Sequence, residues 1–215
     1  VTVTDGWDAG SAPSEVPVIA TVESAPLEAV LRQMLTTSDN DTAELLLKEL
    51  GVVGSGDGTL AGGLNVVDRT LRTWGVPMDG VRLVDGSGLS ASNRLTCGAI
   101  VAVLDRMADT SLPSLLPVAA TSGTLADEFA GAPVAGQLAG KTGTLGNPPD
   151  DVDPPAVKAL SGYYTGDRGA SMRFAFVLNA PDADDPEVYR AYWAPLADRL
   201  AAYPEGPGPA GVAPR

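Results

Sequence analysis

Ser38-Asp39-Asn40, set between two helix-like stretches, and Gly140-Lys141-Thr142-Gly143-Thr144, set in strand-like sequence, decide how this chain is read. Together they offer hydroxyls, an amide and an ammonium, in a chain of 215 residues with no histidine. A serine triad needs an imidazole base and a zinc hydrolase usually needs imidazole ligands, so both chemistries are set aside. Acyl transfer by serine and lysine remains. Its usual nucleophile is a Ser-x-x-Lys pair, which can be searched for directly. The chain has three lysines, Lys48, Lys141 and Lys158, and the residues three places before them are Leu45, Leu138 and Pro155. Either the nucleophile lies upstream of Val1, which reads as a cut inside a longer protein, or this is a domain that has lost its chemistry.

Outward from the two motifs, the sequence divides into helices first and strands second. Pro26 opens a predicted helix with Leu27, Val30, Leu31, Met34 and Leu35 on one face. A second helix is predicted over Asp41 to Leu50, stopping at Gly51, so that Ser38-Asp39-Asn40 lies where two helices meet. Leu60, Leu64, Val67, Leu71 and Trp74 predict a third, ending at Gly75 ahead of a short strand over Val81 to Val84. Thr96 caps a fourth. Beyond Pro113 and Pro117, strands are predicted over Gln137 to Leu145, Ala159 to Thr165 and Ser171 to Ala180, with a mobile loop over Gly146 to Pro155. Asp185 and Pro186 then cap a last helix, broken or kinked near Pro195. Residues 1–17 read as a connector, with a short strand over Val18 to Val22. Residues 18–203 read as part of one α+β domain, and 204–215 as a disordered tail. An incomplete sheet leaves an open edge, so a second polypeptide segment is expected to complete the fold.

Composition narrows the function. Fourteen basic against 27 acidic residues give a net charge of −13, which disfavours nucleic acid and anionic membrane surfaces. A hydrophobic fraction of 44% supplies a substantial core. Cys97, at the start of an apolar helical pattern, is expected to be buried as a small hydrophobe. Neither a cofactor nor a metal site is indicated.

Acyl transfer at a peptide carbonyl needs a proton route to the leaving amine, oxyanion donors and a hold on the substrate's charged end. Ser38 offers a hydroxyl that can relay a proton, Asn40 an amide for the substrate peptide group, and Asp39 a group that holds the turn. Taken alone, Ser38 with Asp41 also resembles a helix-capping box. Lys141 places an ammonium at a cleft edge, and Thr142 and Thr144 supply hydroxyls for a terminal carboxylate. Gly140 and Gly143 let a substrate backbone lie along the strand, where the Thr144 N–H can serve the oxyanion. In isolation this segment also reads as an exposed edge strand with a protective lysine. Ser87 in Asp85-Gly86-Ser87-Gly88, the Gly54 to Gly58 run and the aspartates Asp182, Asp184 and Asp185 read as structural.

These motifs, with Ser24-Ala25-Pro26-Leu27, Val84-Asp85-Gly86-Ser87-Gly88-Leu89-Ser90, Asn93-Arg94-Leu95-Thr96, Leu116-Pro117-Val118-Ala119, Gly123-Thr124-Leu125 and Leu160-Ser161-Gly162-Tyr163, resemble a family. It is the D-alanyl-D-alanine carboxypeptidase/endopeptidase group of penicillin-binding proteins with a large domain inserted between the first and second motifs. The likeness covers roughly Pro17 to Ala202. It implies a penicillin-binding/β-lactamase-like fold, helical subdomain plus antiparallel sheet, completed by upstream sequence that carries Ser-x-x-Lys. It implies Ser38 and Asn40 as catalytic residues with Lys141, and Thr142, Gly143 and Thr144 as substrate-binding residues. It further implies peptidoglycan stem peptides ending in D-Ala-D-Ala as substrates, β-lactams as acylating ligands and an extracytoplasmic location. The alternatives are a β-lactamase and a non-catalytic peptidoglycan-binding domain.

Overall fold

The computed structural model describes residues 20–146, 156–166, 169 and 171–203. The expected connector over 1–17, the tail over 204–215 and all but Gly146 of the loop to Pro155 lie outside the described residues. So does the start of the strand expected at Val18, and residues 20–22 form no regular element. Five helices come first: α1 Leu27–Thr37, α2 Asn40–Ser55, α3 Leu60–Thr73, α4 Cys97–Met107 and the short α5 Leu112–Leu115. A 3-10 turn, Gly123–Leu125, leads into strands β1 Leu138–Leu145, β2 Ala156–Thr165 and β3 Ser171–Ala180, and α6 Pro186–Ala201 closes the described chain. The architecture is α+β, as the order of sequence patterns predicts.

The three strands are antiparallel in the order β1-β2-β3, with Gly143 opposite Ala159 and Leu160 opposite Phe176. Alternation gives the sheet two unlike faces. Leu138, Leu160, Tyr164 and Phe174 point to one side and pack against Tyr189, Trp193, Ala197 and Leu200 of α6. That spacing keeps one stripe of α6 on the sheet across Pro195, so the helix runs through the proline to Ala201 instead of breaking there. On the other face Tyr163 packs with Leu104 and Leu116 of the helical part, and its hydroxyl donates to the Leu104 carbonyl at 2.8 Å.

Four local expectations are corrected. Helix α2 does not stop at Gly51 but continues to Ser55, with Gly56 as its left-handed cap at φ 71°. Gly51 serves close helix packing: a methyl group there would collide with the Asp57 carbonyl and the Gly63 backbone. Val81 to Val84 form no strand, only a single bridge between Arg82 and Arg94, because side-chain bonds from Asp85 and Asn93 tie this stretch into a loop. Cys97 is exposed, since as the first residue of α4 it lies off the buried stripe that holds Ala99 and Leu104. Pro26 is the residue before α1 and not its first turn. The loop residue Ser87 is structural, as expected: its N–H and that of Gly86 donate to Glu44 of α2 at 2.9 and 3.1 Å. Burial opposes ionisation of Glu44, yet hydrogen bonding from the Ser87 side chain, with these two N–H bonds, outweighs it and holds its carboxyl below the ordinary range.

Candidate active site

The turn between α1 and α2 is fixed by backbone and by one carboxylate. Ser38 ends α1 in the left-handed region, φ 58° and ψ 48°, and the Asp39 N–H closes the turn on the Met34 carbonyl at 3.0 Å. Asp39 then caps α2 by accepting from the Thr42 N–H at 3.0 Å. Asp39 is thus the cap, and Ser38 is left half-buried with its hydroxyl turned to other work. A serine at positive φ is a strained choice where glycine or asparagine would be cheaper. Asn40, the first residue of α2, is exposed, and its amide has no protein partner among the described residues.

Strand β1 carries the second motif on an edge. The Gly140 N–H donates outward to the Pro117 carbonyl at 2.8 Å and the Leu138 carbonyl accepts from Ala119 at 2.9 Å, whereas the Gln137 carbonyl faces β2 and accepts from Thr165 at 3.1 Å. Backbone groups alternate in an antiparallel strand, so Thr142 and Thr144, in step with Leu138 and Gly140, also direct N–H and C=O away from β2. Past the 117–119 segment this edge is open among the described residues. An extended peptide can add there.

The two motifs meet through one contact. Lys141 Nζ donates to Ser38 Oγ at 2.7 Å, across 103 positions of sequence, and to its neighbour's carbonyl, Thr142 O, at 2.6 Å. Leu35 of α1 and Ala139 of β1 both pack on the cluster of Leu104, Leu116 and Tyr163, which keeps the helix end near the strand. No carboxylate pairs with Lys141 among the described residues. Burial, with the Lys158 charge as the smaller cause, pulls its ammonium below the ordinary lysine range. A half-buried cation with no anion among the described residues has the charge to receive one.

The threonines lie on the other sheet face. Thr142 Oγ1 donates to Thr124 Oγ1 at 2.8 Å. Thr124 is brought there by Gly123, at φ 56°, whose backbone sits so close to the Thr36 carbonyl that a Cβ would stand 2.6 Å from it. Thr144 Oγ1 accepts from Lys158 Nζ at 2.9 Å. Lys158 lies 4.1 Å above the Tyr189 ring and 5.3 Å above that of Trp193. Burial lowers its pKa, partly offset by Glu128 and Asp184.

Of the residues predicted from sequence, Ser38 and Lys141 touch, Thr142, Gly143 and Thr144 follow Lys141 along the open edge, and Asn40 stands two residues beyond Ser38 at the head of α2. Thr124 and Lys158 were not legible as site residues. Gly123-Thr124-Leu125 was noticeable as a motif, but nothing in its spacing points to Thr142; Lys158 is betrayed only by cross-strand register. Among the described residues no cluster of three or more cysteine, aspartate and glutamate side chains could hold a metal, and no helix is long and apolar enough to cross a membrane.

A helical part and an antiparallel sheet, with Lys-Thr-Gly on the edge strand against a Ser-x-Asn turn, define the penicillin-binding/β-lactamase-like fold. The crystal structure of penicillin binding protein 4 from Haemophilus influenzae in complex with a β-lactam superposes at a TM-score of 0.67 with 26% identity, over 81% of this chain and 40% of that one. The chain belongs to the D-Ala-D-Ala carboxypeptidase 3 (S13) family, whose model matches residues 1–202. It is 36% identical to a carboxypeptidase of Mycobacterium tuberculosis over 179 residues, 79% of this chain and 37% of that protein. It is 33% identical to the D-alanyl-D-alanine carboxypeptidase of an Actinomadura species over 224 aligned positions, 99% of this chain and 39% of that protein. The chain therefore spans well under half the length of these relatives.

Proposed function

We propose that this chain forms the second- and third-motif half of a serine-type D-Ala-D-Ala carboxypeptidase/endopeptidase that acts on peptidoglycan stem peptides outside the cytoplasm. The nucleophilic Ser-x-x-Lys lies, in this reading, on sequence outside these 215 residues, within the larger part of the relatives' length that the chain does not span. The observation that carries the proposal is the 2.7 Å contact from Lys141 Nζ to Ser38 Oγ, which joins the two motifs into one site.

In the proposed reaction the substrate lies along β1 as an added strand, close to the backbone at Gly143. Its terminal carboxylate is held by Lys141, by the Thr144 hydroxyl and by that of Thr142, whose hydrogen turns from Thr124 to the carboxylate, and Asn40 orients its peptide group. The nucleophilic serine attacks the penultimate D-Ala carbonyl, and the oxyanion is met by the Thr144 N–H. The C–N bond breaks, Ser38 relays the serine's proton to the leaving amine, and water then hydrolyses the acyl-enzyme. β-Lactams carry the same carboxylate and acylate the same serine.

Labelling with a fluorescent penicillin, read on a denaturing gel, tests this. The complete protein is expected to take the label and the 21.9 kDa chain alone to stay dark. Label on the short chain would refute the placement of the nucleophile; no label on the complete protein would refute the acyl-enzyme.

A further inference from the structure

Lys158 has no part in the reaction as drawn, yet it is one of the two half-buried lysines of the sheet. It stands directly opposite Thr144 in the β1–β2 register. The outward direction of the Thr144 backbone makes this the closer, non-hydrogen-bonded kind of cross-strand pair. An ammonium has only donors, so in the 2.9 Å contact the Thr144 oxygen must accept. The threonine's own hydroxyl hydrogen is then left for another acceptor, and among the described residues none receives it. Thr144 is exposed on the open edge, so, in the absence of a ligand, that hydrogen goes to water and is available to an acceptor that displaces it. A cation on the oxygen also polarises the hydroxyl and makes it a stronger donor.

Lys158 is not free to take the ligand itself. Its ammonium is seated over Tyr189 and Trp193. The charge is offset by Asp184 and by Glu128, which is itself held by Arg190 at 2.9 and 3.0 Å and by the Tyr189 hydroxyl at 2.9 Å. A lysine so anchored acts through its neighbour. We infer that Lys158 is a positioning residue that fixes the Thr144 hydroxyl as a donor to the substrate's terminal carboxylate, and so sets the preference for a free acid over its ester. The inference rests on the carboxylate reading of the β1 edge given above.

The test uses the complete protein and an N-acyl-D-Ala-D-Ala peptide as free acid and as methyl ester. Lys158→Met keeps the apolar stem over the rings and removes the charge. It is expected to lower kcat/KM for the acid about tenfold, through KM, and to leave the ester unchanged. Lys158→Arg should restore most of the loss, and in a Thr144→Val background Lys158→Met should add nothing. Equal losses on acid and ester, or no loss, would overturn the inference. Should Lys158→Met fail to fold, Thr144→Val carries the test: it must lose the same acid preference, and retention overturns the proposal. Penicillin labelling of the unmodified protein separates the two levels. Absence of label refutes the acyl-enzyme reading and this inference with it; label with an unchanged acid preference refutes the inference alone.

Discussion

Lys141 and Lys158 sit on adjacent strands of one sheet and project from opposite faces, and both are pulled below the ordinary lysine range first of all by burial. Their surroundings differ. Lys158 rests on two aromatic rings and is offset by Glu128 and Asp184, whereas among the described residues the Lys141 ammonium donates to a serine hydroxyl and a backbone carbonyl and pairs with no carboxylate. The α6 face neutralises its cation from within the protein; the helix-side face leaves its cation waiting. One face therefore closes its charge within the protein, while the other leaves Lys141 without an anion among the described residues.

The strongest attack on that division is Trp193→Ala. Trp193 is 2% exposed, stacks on Phe129 at 5.5 Å and meets Tyr189 at 4.6 Å. Its loss should cost about 3–5 kcal/mol in denaturant unfolding of the complete protein. A cost under about 1 kcal/mol would mean that the α6 face is not the stabilising one. Next in size is Lys141→Met, which should slow acylation by a fluorescent penicillin about a hundredfold while the fold survives, because one charge-assisted contact to a carboxylate is lost. Lys141→Arg should not rescue, since a planar fork does not fit where a compact ammonium reaches Ser38. Unaltered acylation would remove Lys141 from the site.

The same two faces part company with pH. Lys141 has a folded pKa below that of the unfolded chain, about 10.4, so the unfolded chain holds more protons between the two values and stability rises with pH there. Acylation should fall over the lower part of that window, as the ammonium that receives the carboxylate is lost. Lys158 adds to the rise in stability, so the comparison with Lys141→Met isolates the share of Lys141: the variant should be relatively most favoured at neutral pH. On the α6 face Glu128 is held low. Burial would raise its pKa, but the bonds from Arg190 and Tyr189 and the charges of Arg190 and Lys158 outweigh it. Its contribution is present above the unfolded glutamate pKa and disappears as pH falls through the lower folded value. Glu128→Gln should flatten that acid limb in pH-dependent unfolding.

Much of this contrast was legible in the sequence. Alternation placed Phe174, Phe176 and Leu178 on a strand, and Ser38-Asp39-Asn40 between two helices, because both patterns are local and periodic. What was missed is non-local. Gly51 looks like a stop by composition, and only the approach of α3 shows that it is a packing glycine. Val81 to Val84 has strand-like residues whose backbone groups are claimed instead by Asn93 and Arg94. Lys158 and Thr124 became site neighbours through strand register and through a tight turn, neither of which leaves a mark in the residues themselves.

The smallest shift in free energy is also the one with two opposite signs. Ser38 holds φ 58° without being a glycine, a conformation that costs an ordinary residue about 1–2 kcal/mol. Ser38→Gly relieves that cost, and the greater freedom of glycine in the unfolded chain takes part of it back, leaving a gain in stability of about 0.5 kcal/mol. The same change removes the hydroxyl that meets Lys141 at 2.7 Å, so penicillin acylation should fall as stability rises. A serine kept for the turn alone would show the gain without the loss. Positive φ also occurs at Ala120 and Phe129, so the pairing of a stability gain with an acylation loss, and not strain alone, would mark Ser38 as a residue kept for chemistry.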